Sequence, residues 1–229
     1  MNIPAEKDLI NYITELVIKE MSAQGIGIES KRTMVPVSIS ARHLHLNKED
    51  LEALFGANHQ LVKMKDISQP GQFAAEEKVT LVGPKGEIKN VRVLGPLRKE
   101  TQVEVSMTDA RTLGIKPVIR ESGDLEGTPG ITLVGPKSSL PLVTQNTLLT
   151  IEKGCIVAER HIHMTPEDAR IFGVTDGEKV SVKVTGHRGG IMDNVVVRVR
   201  EDYALDMHID VDEANAFGLN NGDMVEIVR

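Results

Sequence analysis

Ala41-Arg-His-Leu-His-Leu-Asn-Lys-Glu-Asp50 returns in the second half of the chain as Glu159-Arg-His-Ile-His-Met-Thr-Pro-Glu-Asp168. Each copy runs into a short helical stretch that ends at a glycine, Gly56 or Gly173. Two weaker copies follow the same plan. Glu104-Val-Ser-Met-Thr-Asp-Ala110 runs to Gly114, and His208-Ile-Asp-Val-Asp-Glu-Ala214 runs to Gly218. The alternation strong, weak, strong, weak predicts two homologous halves, each built from one strong and one weak unit.

The repeat also predicts chemistry. Residues two apart in a strand project to the same side. His43 and His45 are therefore expected to point together while Leu44 packs the other way, and His161 and His163 repeat the arrangement. Asn47 and Thr165 read as N-caps, with Asp50 and Asp168 at the third helical position and Pro166 at the first. A strand that stops at a capped helix is a rigid mount for a metal site. In the weak copies Glu104 and His208 stand at equivalent positions. One half thus offers His43, His45 and Glu104; the other offers His161, His163 and His208. Three protein ligands suit a catalytic ion, because a coordination position stays open. A structural zinc takes four, often with sulfur, and Cys155 is the one cysteine. Imidazole donors favour zinc, while cobalt, iron and manganese also fit the spacing.

Outward from the repeat, the chain reads as short strands and turns. Val35-Pro-Val-Ser-Ile-Ser40, Val79–Val82, Glu87–Leu94, Gln102–Ser106, Lys179–Val184, Asn194–Val199 and Met224–Val228 alternate apolar and polar residues. Gly83-Pro84, Gly95-Pro96, Gly135-Pro136, Asp176-Gly177 and Asn221-Gly222 punctuate them. This pattern predicts a mainly β protein of small barrels or sandwiches with short helices. Residues 6–21 read instead as an amphipathic helix, with Leu9, Ile10, Ile13, Leu16, Val17 and Met21 on one face. That helix docks either on its own core or on a partner. Thr80-Leu-Val-Gly-Pro-Lys85 and Thr132-Leu-Val-Gly-Pro-Lys137 form a second echo with no evident purpose in the sequence.

Composition narrows the function. Of 229 residues, 40% are hydrophobic and 26% charged, typical of a soluble globular protein. A net charge of −6 argues against general nucleic-acid binding, and the absence of Trp with only two Tyr and four Phe removes most base-stacking surface. No apolar run reaches the ~18 residues of a membrane span. The first residues lack the basic and apolar regions of a secretory signal. One cysteine excludes an internal disulfide framework and suits a reducing cytoplasm. Its apolar neighbours make Cys155 a small buried hydrophobe rather than a nucleophile.

Leu94-Gly-Pro-Leu-Arg-Lys99 places Arg98 just ahead of Glu104. A guanidinium there suits an oxyanion or phosphate clamp, and a solvated Arg-Lys pair is the competing reading. Gln69-Pro-Gly-Gln-Phe-Ala74 reads as a turn with an exposed aromatic beside a ligand groove. His59 and His187 lie in polar turns and read as surface residues. Neither a phosphate-binding P-loop nor a dinucleotide fingerprint occurs; Gly83-Pro-Lys-Gly86 is a hairpin turn.

Val35 to Leu46, Gln69-Pro-Gly-Gln-Phe-Ala-Ala-Glu76, Leu94-Gly-Pro-Leu-Arg98, Gly127-Thr-Pro-Gly130, Arg160-His-Ile-His-Met164 and Met207-His-Ile-Asp-Val-Asp-Glu-Ala-Asn215 together resemble the PduL-type phosphotransacylases, or phosphate propanoyltransferases. The resemblance spans nearly the whole chain. It implies two small β-barrel domains capped by short α-helices, plus an N-terminal amphipathic helix. The implied division is residues 1–27 as helix and linker, 28–41 with 159–229 as a discontinuous barrel, and 42–158 as the second barrel. It implies two divalent metal ions, zinc by preference, on His43, His45, Glu104, His161, His163 and His208. Arg98 takes the family's phosphate-binding place. The implied reaction is reversible transfer of a short acyl group, propanoyl or acetyl, between CoA and phosphate, by direct attack in a ternary complex. Acyl-CoA and phosphate are the implied partners, within a homodimer. In microcompartment members the N-terminal helix is an encapsulation peptide that docks on shell or enzymes, a role compatible with residues 6–21 in a cytoplasmic protein. Two other classes fit the residues alone: a dimetal hydrolase, and a non-catalytic metal-binding scaffold module.

Overall fold

The computed structural model describes residues 13, 16, 17, 20, 34–137 and 146–228. Ile13, Leu16, Val17 and Glu20 are helical; the rest of the helix expected over 6–21, and its linker, lie outside the described residues. In chain order, the first half holds β1 (Met34–Ser40), β2 (His43–His45), α1 (Lys48–Phe55), β3 (Lys63–Asp66), β4 (Phe73–Val82), β5 (Glu87–Gly95), β6 (Gln102–Glu104), α2 (Met107–Leu113), β7 (Ile119–Arg120) and β8 (Ile131–Lys137). The second half holds β9 (Asn146–Ile151), β10 (Cys155–Ala158), β11 (His161–Met164), α3 (Pro166–Phe172), β12 (Lys179–Val184), β13 (Gly190–Val199), β14 (Asp206–Asp210), α4 (Val211–Phe217) and β15 (Met224–Val228). No described helix is long and apolar enough to cross a membrane.

The mainly β class expected from the alternation is what the chain adopts. Six strands close a barrel in the order β1-β14-β11-β13-β12-β15. Its inward residues, among them Val35, Val37, Ile162, Val182, Val197 and Met207, form one continuous core. The other strands build a nine-stranded half-barrel, β7-β10-β6-β2-β5-β4-β8-β9 with β3 on β4. Leu44, Leu81, Val93, Val103 and Leu133 fill it.

The two sheets follow one plan. β11 lies between β14 (antiparallel) and β13 (parallel), as β2 lies between β6 (antiparallel) and β5 (parallel). β1 runs parallel to β14 with Ser38 opposite His208; β10 runs parallel to β6 with Ile156 opposite Glu104. β9 and β10 together therefore fill the place that β1 holds in the barrel. They are broken apart at Glu152-Lys153-Gly154, where Gly154 has φ +111° and a Cβ would stand 2.5 Å from the Thr101 carbonyl oxygen. The break leaves a single closing bond, Cys155 N–H to Pro129 C=O at 3.0 Å, in the position of Val37 N–H to Asp223 C=O at 2.9 Å.

The first strand of each half thus pairs in the sheet built by the other half. β1 precedes β2 in sequence yet belongs to the barrel, and β10 precedes β11 yet belongs to the half-barrel. Ala41-Arg42 and Glu159-Arg160 are the crossing segments. Each crossing arginine is pinned to the second cap helix of its own half: Arg42 Nε to Asp109 of α2 at 2.9 Å, and Arg160 Nη1 to Glu213 of α4 at 3.1 Å. The caps are as the sequence suggests. Asn47, Ser106, Thr165 and Asp210 each accept from the third backbone N–H of their helices, and the helices stop at Gly56, Gly114, Gly173 and Gly218.

The second echo also has an explanation. The two Thr-Leu-Val segments pair with each other, antiparallel, with Thr80 opposite Val134 and Val82 opposite Thr132. The glycine after each receives the end of a cap helix. A Cβ at Gly83 would stand 2.2 Å from the Leu113 carbonyl oxygen, and one at Gly135 would stand 2.6 Å from that of Leu54. Only a hydrogen fits under a helix terminus at that range. Gly83→Ala is expected to lower stability by ~1–3 kcal/mol through overpacking against backbone. Thermal unfolding measures it, and an unchanged Tm would mean that the helix end yields freely.

Candidate metal centre

Strand exchange sets the position of both histidine pairs. His43 and His161 come right after the crossings, so each pair stands where the two sheets meet. Leu44 and Ile162 point into the cores and hold the strands in register. Glu104 lies directly across from His43, and His208 across from His161. The neighbouring strands therefore deliver the third donor of each set.

The six residues gather as two groups. His43, His45 and Glu104 each bring a ligand atom within 4.8 Å of the others, and so do His161, His163 and His208. Both groups line one cavity of about 550 Å³, together with Arg98 and the Gln69-Pro70-Gly71-Gln72 turn. The turn is locked to the barrel by the buried Gln69 side chain, which donates to Ala204 C=O (3.0 Å) and accepts from Ala204 N–H (3.2 Å). Thr108 N–H to Asp212 (2.8 Å) adds a second tie between the sheets.

Three of the six donors are oriented by a bond on the far side. His43 Nδ1 donates to Ala41 C=O and His161 Nδ1 to Glu159 C=O, both at 2.8 Å, which leaves Nε2 as the ligand atom of each ring. His45 Nδ1 is buried without a partner. His163 Nδ1 is likewise buried and unpartnered. Gln102 Nε2 donates to Glu104 Oε1 at 2.5 Å, leaving Oε2 facing His43 Nε2 at 3.4 Å. Buried imidazole nitrogens left without a bond are costly in a protein interior. Converging lone pairs of this type, three to a group, are the donor set of a divalent ion with an open position. The residues fit such ions.

The two groups differ in charge. Burial pulls His43 down, but the Glu104 carboxylate and the Ala41 carbonyl outweigh it and leave the ring raised. Burial pushes Glu104 up, yet the charges of His43, His45 and Arg98 hold it well below the usual carboxylate range. In the second group the Glu159 carbonyl and the more distant Glu104 charge do not outweigh burial. Burial first, then His208, takes His161 down to about 4; burial, then His161 and His208, takes His163 down to about 2. One set thus carries a carboxylate paired with a histidine, and the other carries only imidazoles, two of them held neutral by burial.

Arg98 emerges from the turn after β5. Its backbone N–H donates to Leu46 C=O at 2.9 Å, and its Nη1 donates to Ser122 Oγ at 2.8 Å. It faces the cavity, as do Arg198 and Arg200. Phe73 departs from the expectation of an exposed aromatic. It is half-buried, packed on the half-barrel core, because the close approach of Gly95 makes room for its ring. His59 is not a free surface residue either; it stacks on Phe55 and bonds buried Glu77 at 2.8 Å. His187 is exposed, as expected. Cys155 is buried in the core with its thiol pushed up to about 12 by burial. Gln102, Ser122 and Arg198 carry no signal in the sequence. Gln102 and Arg198 sit in alternating strands, Ser122 in a polar loop, and only the pairing of strands brings them to the site.

A family model described as phosphate propanoyltransferase matches residues 36–220. The chain is 56% identical to a phosphate propanoyltransferase of Thermotoga maritima over 87% of this chain and 91% of that protein. It is 51% identical to one of Rhodobacter capsulatus, over 94% and 96% of the two chains. It is 48% identical to one of Clostridioides difficile, over 97% and 99%.

The depressed rings make a pH prediction for the metal-free protein. His161 and His163 stay neutral when folded, whereas unfolded histidines take up protons below ~6.5. The unfolded state then binds more protons, so stability falls as pH drops from about 6.5 toward 4. Urea midpoints of chelated protein at pH 7 and pH 5 measure this, and a midpoint that rose on acidification would contradict the burial of these rings.

Proposed function

This chain belongs to the phosphate propanoyltransferase family and is an acyltransferase enzyme, and we propose that it moves a short acyl group between CoA and inorganic phosphate within the cavity between the two sheets. The observation that carries this reading is the convergence of a His₂Glu set, a His₃ set and Arg98 on one cavity. In the reaction a phosphate oxygen attacks the thioester carbonyl, the new C–O bond forms, the C–S bond breaks, and CoA leaves as thiolate. Phosphate is already nucleophilic at neutral pH, so no activated serine or cysteine is needed. Cys155, a core thiol, takes no part. Attack is direct, in a ternary complex.

His43, His45 and Glu104 hold one divalent ion and His161, His163 and His208 the other, zinc being the natural choice for imidazole donors. When bound, such ions stabilise negative charge on phosphoryl and carbonyl oxygens as Lewis acids. The protein's own part is to place and neutralise two anions. Arg98, steadied by Ser122, binds phosphate through its guanidinium fork. Arg198 and Arg200 add positive charge along the cavity for the diphosphate of CoA. Asp202 takes up much of Arg200, with which it pairs at 2.8 Å, so Arg198 is the stronger contributor.

The wider setting belongs to the same proposal. Residues 28–41 with 159–229 form one domain and 42–158 the other, and the enzyme works as a homodimer. Residues 1–27 act as an encapsulation peptide that draws the enzyme into a cytoplasmic microcompartment. The helical spacing of Ile13, Leu16 and Val17, each about half exposed, supports that role.

The deciding assay follows CoA release from acetyl-CoA and propanoyl-CoA, with and without phosphate, before and after chelation. Phosphate-dependent release that chelation abolishes and zinc restores is expected. Release without phosphate would identify a hydrolase, and none at all a binding module. The two acyl chains should differ modestly, since one methylene is worth ~1–3 kcal/mol in a pocket. Arg98→Ala is expected to lower kcat/KM by ~100-fold or more with metal content unchanged. Full activity in that variant would remove the clamp.

A further inference from the structure

Five of the six donors have a visible tether on the side away from their free ligand atom, or a free buried nitrogen that marks it. His208 is the sixth. Its neighbour is Asp206, two residues back on β14 and so on the same side of the strand. Asp206 is buried, 4% exposed, which is a costly place for a carboxylate without a partner. Its Oδ2 lies 3.1 Å from His208 Nε2 and makes no hydrogen bond elsewhere. Ser68 Oγ reaches the same nitrogen at 3.4 Å. Asp206 stands outside the set of three rings whose nitrogens cluster.

The duplication supplies the comparison. Asp206 is opposite His163 in the β11–β14 pair, and Gln102 is opposite His45 in the β2–β6 pair. Both precede the third donor by two residues. Gln102 donates through its amide to a carboxylate, Glu104. Where the third donor is an imidazole, the same position holds an acceptor. The tether and its target have changed together, Gln with Glu in one half and Asp with His in the other, so that each pair remains a donor facing an acceptor.

We infer that Asp206 is the positioning residue of the second metal site: its carboxylate accepts the Nε2 proton of His208 and turns Nδ1 toward the ion. The inference rests on the dimetal reading above. A carboxylate behind a ligating imidazole fixes its tautomer and raises its basicity, and loss of such a partner typically weakens metal binding ~10–100-fold.

The test titrates zinc-loaded full-length protein with a chelator of known affinity and counts zinc by atomic spectroscopy. In parallel, the visible spectrum of the cobalt-substituted protein reports the ligand set. The wild type should hold two ions; fewer would defeat the dimetal reading itself rather than the role of Asp206. Asp206→Asn should keep the ion of the first set, release the second at ~10–100-fold lower chelator strength, and show an unchanged cobalt ligand set once saturated. Asp206→Glu, which restores the carboxylate, should recover most of the affinity. Wild-type affinity in Asp206→Asn overturns the inference. So does a second site that cannot be filled at any zinc concentration, which would make Asp206 a ligand. If Asp206→Asn loses both ions, Asp206→Glu decides, and failure to recover counts against the inference.

Discussion

The structure depends on two parallel strand pairs, β1 on β14 and β10 on β6. Each takes the leading strand of one half into the sheet of the other. Parallel neighbours cannot be joined by a tight turn, so the chain has to cross between sheets. It does so at Ala41-Arg42 and again at Glu159-Arg160, and the histidine pairs start on the next residue each time. Proximity of the two donor sets is therefore a consequence of topology. Had each half kept its own first strand, the sheets would have folded apart and the pairs would have had no common cavity.

A site of this kind needs rigidity more than strength. Each histidine pair is held at one end by a crossing arginine bonded to a helix cap and at the other by the first turn of a capped helix. Caps are worth about 1 kcal/mol each, small beside the apolar burial of the cores, but they set where the strands stop. Gln69 and Thr108 then tie one sheet to the other on either side of the cavity. The bonds behind His43, His161 and Glu104 finish the work, leaving each of these side chains little freedom to turn.

Duplication has not produced two equal sites. The first set carries a carboxylate and an ion-paired histidine, the second only imidazoles. The fixed guanidinium of Arg98 lies on the side of the carboxylate-bearing set, where it also helps to hold Glu104 ionised.

Much of this was legible in the sequence. The strand alternation, the capped helices ending in glycine, and the pairing of Glu104 and His208 with the two histidine motifs all follow from local periodicity and an internal repeat. Such features depend on neighbours along the chain, and the chain displays them. What only the tertiary structure decided is which strands lie side by side. That the two Thr-Leu-Val-Gly-Pro-Lys segments face each other, that Phe73 turns inward under Gly95, that Gln102 and Asp206 stand behind their donors, and that Arg198 reaches the cavity all depend on hydrogen-bonded pairing between segments far apart in sequence. Strand register sets those contacts, and nothing local to any one segment encodes it.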